Sequence, residues 1–128
     1  MILKSLILFI FITFGLFFYN DSLSCEIKIE IVKNKKEKYK NNETLILKVE
    51  IYLTHRICDI NIKDTKVETS NVEILKEGKW NEEKMGVWVN YYKIKISKNK
   101  DKSDSCYFKV MRICPKTGGE KTIYFNVD

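Results

Sequence analysis

The sequence predicts an all-β protein: a single antiparallel β-sandwich of about seven strands behind an N-terminal signal peptide. Three observations support this prediction. Apolar residues recur at every second position in several stretches, no stretch shows helical periodicity, and the chain after residue 24 has the length of one domain. We therefore expect residues 1–24 to be the signal peptide and residues 25–128 to form one sandwich domain.

Residues 1–24 have the composition of a secretory signal peptide. Lys4 supplies a positive charge, residues 5–18 are almost all apolar, and Ser22 and Ser24 are small residues where signal peptidase requires them. The apolar stretch is shorter than the roughly 20 residues that a membrane-spanning helix needs. Cleavage would leave Cys25 as the first residue, so the sequence predicts a secreted or periplasmic protein.

Cys25 allows a second interpretation of this segment. Its two preceding residues, Leu23 and Ser24, are similar to the end of a bacterial lipobox, and a lipid on Cys25 would attach the protein to a membrane. However, Ser22 is not the branched apolar residue expected in that motif, and strand-like alternation starts directly at Glu26. We expect membrane association only if Cys25 is lipidated.

The predicted strands are defined by alternating apolar residues. The inward-facing positions, in chain order, are Cys25, Ile27, Ile29 and Ile31; Leu45, Leu47, Val49, Ile51 and Leu53; Cys58, Ile60 and Ile62; Tyr92, Ile94 and Ile96; and Ile123, Phe125 and Val127. One or two weaker strands are predicted over 67–75 and a penultimate strand over 106–114. The polar stretch 33–43 is predicted to be a loop, 97–105 a charged hairpin loop, and Glu82 and Glu83 part of a turn.

In strand number, spacing and length, residues 25–128 resemble the immunoglobulin-like superfamily, which includes small exported modules that bacteria use for adhesion and assembly. The resemblance is architectural, because the second strand has no cysteine and neither Trp80 nor Trp88 lies on the third strand. It therefore implies a fold and carries no particular ligand or activity with it.

Four cysteines in an exported protein predict two disulfides. Cys106 and Cys114 lie on one predicted strand, about 26 Å apart at about 3.3 Å per residue, whereas bridged Cα atoms are about 4.4–6.8 Å apart. Two arrangements remain: Cys58 with Cys114 and Cys25 with Cys106, or the crossed alternative. The third and sixth strands of an immunoglobulin-like sandwich are antiparallel neighbours, so the resemblance implies Cys58 with Cys114.

The only two arginines of the chain, Arg56 and Arg112, each precede a cysteine by two positions. Residues two apart in a strand share a face, so each arginine lies on the face of its cysteine. In a structural interpretation, the arginine pairs with a buried carboxylate or reaches the rim of the core. In a functional interpretation, an anion- or partner-binding site includes backbone N–H groups of the turn at 115–119. Its residues would be His55, Arg56, Arg112, Gly118 and Gly119.

The sequence contains no recognisable catalytic constellation, and we expect a non-catalytic protein without a cofactor. His55 is the only histidine, and its surroundings resemble neither a nucleophile elbow nor a cysteine-protease site. The net charge of +6 fits a lysine-coated surface, and no basic motif interleaved with aromatic residues predicts nucleic-acid binding. The leading hypothesis is an exported, disulfide-stabilised module that binds or assembles with a protein or glycan partner.

The alternative hypothesis is an extracytoplasmic metal-binding or redox accessory domain. His55, Cys58, Cys106 and Cys114 would supply the imidazole and thiolate ligands that zinc and copper prefer. Residues three apart in a strand point to opposite faces, which separates His55 from Cys58. We therefore predict no metal site.

Overall fold

The computed structural model describes residues 25–53, 61–113 and 119–128, and the predicted signal peptide lies outside them. Within these ranges the protein is all-β, with two antiparallel sheets packed together, and no helix is long and apolar enough to cross a membrane. A 3₁₀ turn spans Ile62–Asp64. The strands are β1 (Glu26–Lys33), β2 (Thr44–Tyr52), β3 (Lys66–Ser70), β4 (Val72–Glu77), β5 (Asn81–Lys84), β6 (Val87–Ile96), β7 (Tyr107–Arg112) and β8 (Gly119–Tyr124).

The two sheets have the strand orders β1-β2-β6-β4 and β3-β7-β8. Strand β6 is long enough to pair with two strands along one edge. Its residues 92–96 pair with β4, and its residues 87–89 pair with β5. All strand pairs in both sheets are antiparallel, which confirms the predicted antiparallel sandwich.

The core forms between the inner faces of the two sheets. Leu45, Leu47, Val49 and Ile51 of β2 are at most 1% exposed, as their alternation predicts. The apolar residues enclosed with them include Val72, Tyr92, Ile94, Ile96, Phe108 and Val110. The rings of Tyr92 and Phe108 meet edge to face with their centroids 5.2 Å apart. This contact joins the first sheet to the second through the middle of the core.

The prediction that Ile62 belongs to the third strand is wrong. Ile62 begins the 3₁₀ turn, and the third strand starts at Lys66 instead. The Asn61 side chain accepts a hydrogen bond from the backbone N–H of Lys63, and the Thr65 hydroxyl donates to the Ile62 carbonyl. These local side-chain bonds compete with strand pairing and favour the turn. Ile62 is 7% exposed, so it is buried as the apolar pattern predicts, although it does not lie in a strand.

The stretch 97–105 is a loop, as predicted, but it is not a hairpin because it crosses from β6 in the first sheet to β7 in the second. Asn71, between β3 and β4, holds this loop in place through hydrogen bonds. Asn71 is 5% exposed and has a φ of 52°, a left-handed conformation that asparagine tolerates well. Its side-chain nitrogen donates to the carbonyls of Ser103 (2.6 Å) and Ser105 (2.9 Å).

The lysine-rich loop between β1 and β2 contributes one residue to the core. Tyr39 is 2% exposed, and its ring meets Phe125 edge to face at 5.7 Å. Its backbone N–H donates to the Asn126 carbonyl, and its own carbonyl accepts from Asp128. A single aromatic residue among lysines gives no periodic signal, so the pattern of the sequence did not predict this anchor.

Both predicted disulfide arrangements are wrong for Cys106, which carries a free thiol. Its sulfur lies 3.4 Å from the carbonyl oxygen of Asn71. Cys25 precedes β1 and contacts Gly119 at the start of β8, opposite Arg112, which ends β7. Cys106 precedes the other end of β7, about 20 Å away at about 3.3 Å per residue. Cys58 and Cys114 lie outside the described residues.

Candidate binding cleft

One end of the sandwich brings together the start of β1, the end of β2 and the start of β6, because Glu26, Tyr52 and Val87 lie side by side. The second sheet ends there too, where Arg112 pairs with Gly119. A Cβ atom on Gly119 would lie 2.5 Å from the carbonyl oxygen of Cys25, so the two sheets nearly touch. We call this the cleft end, and the opposite end, which carries the loops 34–43 and 97–105, the loop end.

A cleft of about 570 Å³ opens near the cleft end, and both tryptophans of the chain line it. Trp80 lies between β4 and β5, and Trp88 is the second residue of β6. Both indoles are partly buried and pack against the core. The other lining residues are Asn61, Ile62, Lys63, Glu77, Gly78 and Lys79.

Gly78 lets the segment before Trp80 lie directly on β6. Its backbone N–H donates to the Tyr91 carbonyl at 2.9 Å. A Cβ atom at this position would lie 2.8 Å from the side-chain oxygen of Asn90 and 3.2 Å from the Tyr91 carbonyl oxygen. Glycine therefore permits the close approach that brings Trp80 back beside Trp88.

A buried polar network supports the Glu77 side of the cleft. Asn90 and Tyr92 are each 1% exposed. The Asn90 amide donates to the Tyr92 hydroxyl (3.5 Å), which donates in turn to the Glu77 carboxylate (3.4 Å). Burial, and then the charge of Glu77, raise the pKa of Tyr92, so its hydroxyl stays protonated and remains a donor.

Arg112 supports the side of the cleft that the 3₁₀ turn forms. Its guanidinium is buried, with the residue 1% exposed, and Nη1 donates to the Thr65 hydroxyl at 2.7 Å and the Asn61 carbonyl at 3.4 Å. Thr65 in turn bonds to the Ile62 carbonyl through its hydroxyl and its N–H. Arg112 therefore holds both ends of the 3₁₀ turn that carries Ile62 and Lys63 into the cleft.

Three charged residues line the cleft: Lys63, Lys79 and Glu77. All three are exposed, and their charges sum to a positive excess of one. Within the described part of the chain, none of the three forms an ion pair. The lysine ammonium groups are therefore accessible to an anionic group in the cleft.

Two of the predicted site residues can be placed, and both lie at the cleft end. Arg112 and Gly119 face each other across β7 and β8. The described contacts of Arg112 hold the turn, and Gly119 permits the approach of Cys25. The remaining members of the predicted site, His55, Arg56 and Gly118, lie outside the described residues.

The sequence prediction did not include Trp80 and Trp88 in the site. A signal was available, since these are the two tryptophans of the chain and they flank one short segment, 81–87. What brings them together is the pairing of β5 with β6 and the contact of Gly78 with β6. The sequence did not predict β5, because all four of its residues are exposed and show no alternation.

Among residues 25–53, 61–113 and 119–128, no group of three or more His, Cys, Asp or Glu side chains could hold a metal ion. Burial raises the pKa of the Cys106 thiol to about 11, which disfavours the thiolate that a metal would need. His55, Cys58 and Cys114, the other ligands of the metal hypothesis, lie outside these ranges.

Comparisons with known proteins give no assignment for the chain. No protein-family model, curated protein or solved structure matches it. Any functional conclusion therefore depends on the geometry of the cleft and the order of the strands.

Proposed function

We propose that the protein is an exported, non-catalytic binding module that recognises a protein or glycan partner through the cleft lined by Trp80 and Trp88. The observation that carries this proposal is the convergence of both tryptophans on one concave surface. Tryptophan is enriched among the residues that dominate binding energy, and binding pockets combine apolar walls with a few polar groups. The cleft has this composition, with two indoles, Ile62 and several polar or charged side chains.

We also propose that the sandwich is immunoglobulin-like. The sheet orders β1-β2-β6-β4 and β3-β7-β8 correspond to the ABED and CFG sheets of a constant-type immunoglobulin domain. Connections between strands cluster at the ends of such sandwiches and often carry the binding residues. The cleft fits this location, because its walls are the turn at Ile62–Asp64 and the segment between β4 and β5.

The test compares what the protein and its variants retain from an extract of their own organism. The variants Trp80→Ala and Trp88→Phe remove or reduce the two indoles, and Tyr124→Ala is the matched control. Tyr124 is an aromatic residue that is 70% exposed on β8, away from the lining of the cleft. Circular dichroism establishes that each variant is folded before binding is measured.

The proposal expects a partner that the wild-type protein and Tyr124→Ala retain and that both tryptophan variants lose. Mass spectrometry identifies a protein partner, and monosaccharide analysis identifies a glycan. Retention of the same partners by the wild type and by both tryptophan variants would contradict the proposal.

A further inference from the structure

We infer that the cleft binds a short oligosaccharide that carries a carboxylate group. This inference rests on the proposed function and specifies the ligand of the same site. It is carried by the size of the cleft, by the two partly exposed indoles and by the exposed lysines beside them.

The size and shape of the cleft favour a small ligand over the surface of a protein. Its volume of about 570 Å³ lies within the range of about 300–1,000 Å³ that is usual for small-molecule sites. A stable protein interface instead buries about 800 Å² on each partner. A few sugar rings would fill this cleft, whereas a protein partner would have to insert a narrow projection.

The indoles match the surface of a pyranose ring, which has an apolar face of C–H groups and a rim of hydroxyls. An indole offers a flat apolar surface of comparable size with one polar N–H group. Both indoles pack on the core, and hydrogen bonding of Gly78 to β6 fixes the chain two residues before Trp80. Little conformational entropy is then lost when a sugar stacks on either ring.

Polar groups suited to sugar hydroxyls lie beside the indoles. Asn61 accepts a hydrogen bond through its side-chain oxygen, and its amide N–H groups have no partner within the described residues. The Glu77 carboxylate takes one hydrogen bond, from Tyr92, on one of its two oxygens. The second oxygen can accept from a hydroxyl, and the Asn61 amide can donate to one.

The charges select among sugars. Lys63 and Lys79 lie exposed in the cleft without ion pairs in the described residues, and Glu77 offsets one of their two charges. A sugar carboxylate would neutralise the excess and gain charge-assisted hydrogen bonds from an ammonium group. A neutral sugar would make the stacking contacts without this gain. The cleft therefore favours an acidic oligosaccharide over a neutral one of the same length.

The experiment titrates the mature protein with defined oligosaccharides and follows tryptophan fluorescence, with calorimetry to confirm affinity. Both tryptophans line the cleft, so a change in emission reports on this site. The acidic probes are hyaluronan tetrasaccharide, tetragalacturonate and sialyllactose. The neutral probes are tetra-N-acetylchitotetraose, carboxyl-reduced tetragalacturonate and lactose.

We expect an acidic probe to bind with a change in emission and its neutral counterpart to bind about tenfold more weakly, a difference of about 1.4 kcal/mol. Trp80→Ala should weaken binding of both classes. The double variant Lys63→Gln/Lys79→Gln should weaken binding of the acidic probe and leave the neutral one unchanged. The matched control is Lys35→Gln/Lys102→Gln, which removes two exposed lysines at the loop end and should change neither.

Two results would overturn this inference and leave the proposed function intact. In the first, acidic and neutral probes bind equally and the Lys63→Gln/Lys79→Gln variant loses no affinity. In the second, no probe of either class binds, while a protein partner is retained from the extract in a manner that depends on Trp80 and Trp88. The absence of any partner that depends on these tryptophans, whether sugar or protein, would overturn the proposed function itself.

Discussion

Asn71 and Asp101 each donate a backbone N–H to the side chain of the other, and both bonds are 2.8 Å long. The two residues lie thirty positions apart in the chain. Asn71 marks the point where the chain leaves the second sheet for the first, and Asp101 lies in the loop that makes the reverse crossing. The reciprocal bonds therefore fasten two of the crossings between the sheets to each other.

Replacing Asn71 with alanine should lower the free energy of unfolding by about 3 kcal/mol, because it removes the three hydrogen bonds that the buried Asn71 side chain makes with the loop. The matched control is Asn99→Ala, at an exposed position with a similar φ of 69°. This control should cost about 1 kcal/mol, since it removes only the residue type that tolerates this conformation. Urea unfolding measures both values, and equal losses would show that the hydrogen bonds of Asn71 add little.

Two neighbouring residues of β2 can test which face of this strand is buried and which is exposed to solvent. Leu47 is fully buried, so Leu47→Ala should cost about 2–5 kcal/mol of stability. Lys48 lies on the outer face and pairs with Glu50 at 3.0 Å, and Lys48→Ala should cost about 1 kcal/mol or less. Thermal and urea unfolding of the two variants give the comparison. Similar losses from both would show that the strand does not have one buried and one solvated face.

Alternation predicted β2 and β6 well because each has a buried face in a sheet interior. Features that depend on a single long-range contact gave no such pattern. Tyr39 packs on Phe125 from within a lysine-rich loop, and Asn71 acts through groups thirty residues away. The cleft also depends on long-range contacts, since Trp80 and Trp88 come to line it through the return of the chain onto β6.

Gly119→Ala should destabilise the junction between the sheets. The new Cβ atom would lie 2.5 Å from the Cys25 carbonyl oxygen, and the contact is with backbone, which cannot move aside as a side chain would. We expect a loss of about 2 kcal/mol or more, typical of overpacking. Lys121→Ala, at an exposed position two residues further along β8, should change stability by about 0.5 kcal/mol at most. Equal melting temperatures for the two variants would contradict the close approach.

Stability should fall as the pH rises above about 9. Burial raises the pKa of the Cys106 thiol from 9.0 to about 11, and the pKa of Tyr92 is raised as well. The folded state therefore holds protons that the unfolded state releases, so the contribution is complete below pH 9 and is lost as the pH approaches 11. Melting temperatures of the wild type and Cys106→Ala should converge over this interval. A difference that stays constant from pH 8 to pH 11 would contradict a buried thiol.

Arg112→Lys should separate the two interpretations of the buried arginine. Lysine keeps the charge, but its ammonium group lies one bond closer to the backbone than Nη1, the arginine nitrogen that donates to both Thr65 and Asn61. We expect the free energy of unfolding to fall by about 2–3 kcal/mol, since hydrogen bonds to a buried charge are lost. Binding through the cleft should weaken too, because the turn at Ile62–Asp64 loses its support.

The control Lys109→Arg changes a neighbouring, outward-facing residue of β7 that pairs with Glu120, and it should leave both stability and binding intact. Unchanged stability with weaker binding would instead indicate that Arg112 contacts the partner directly.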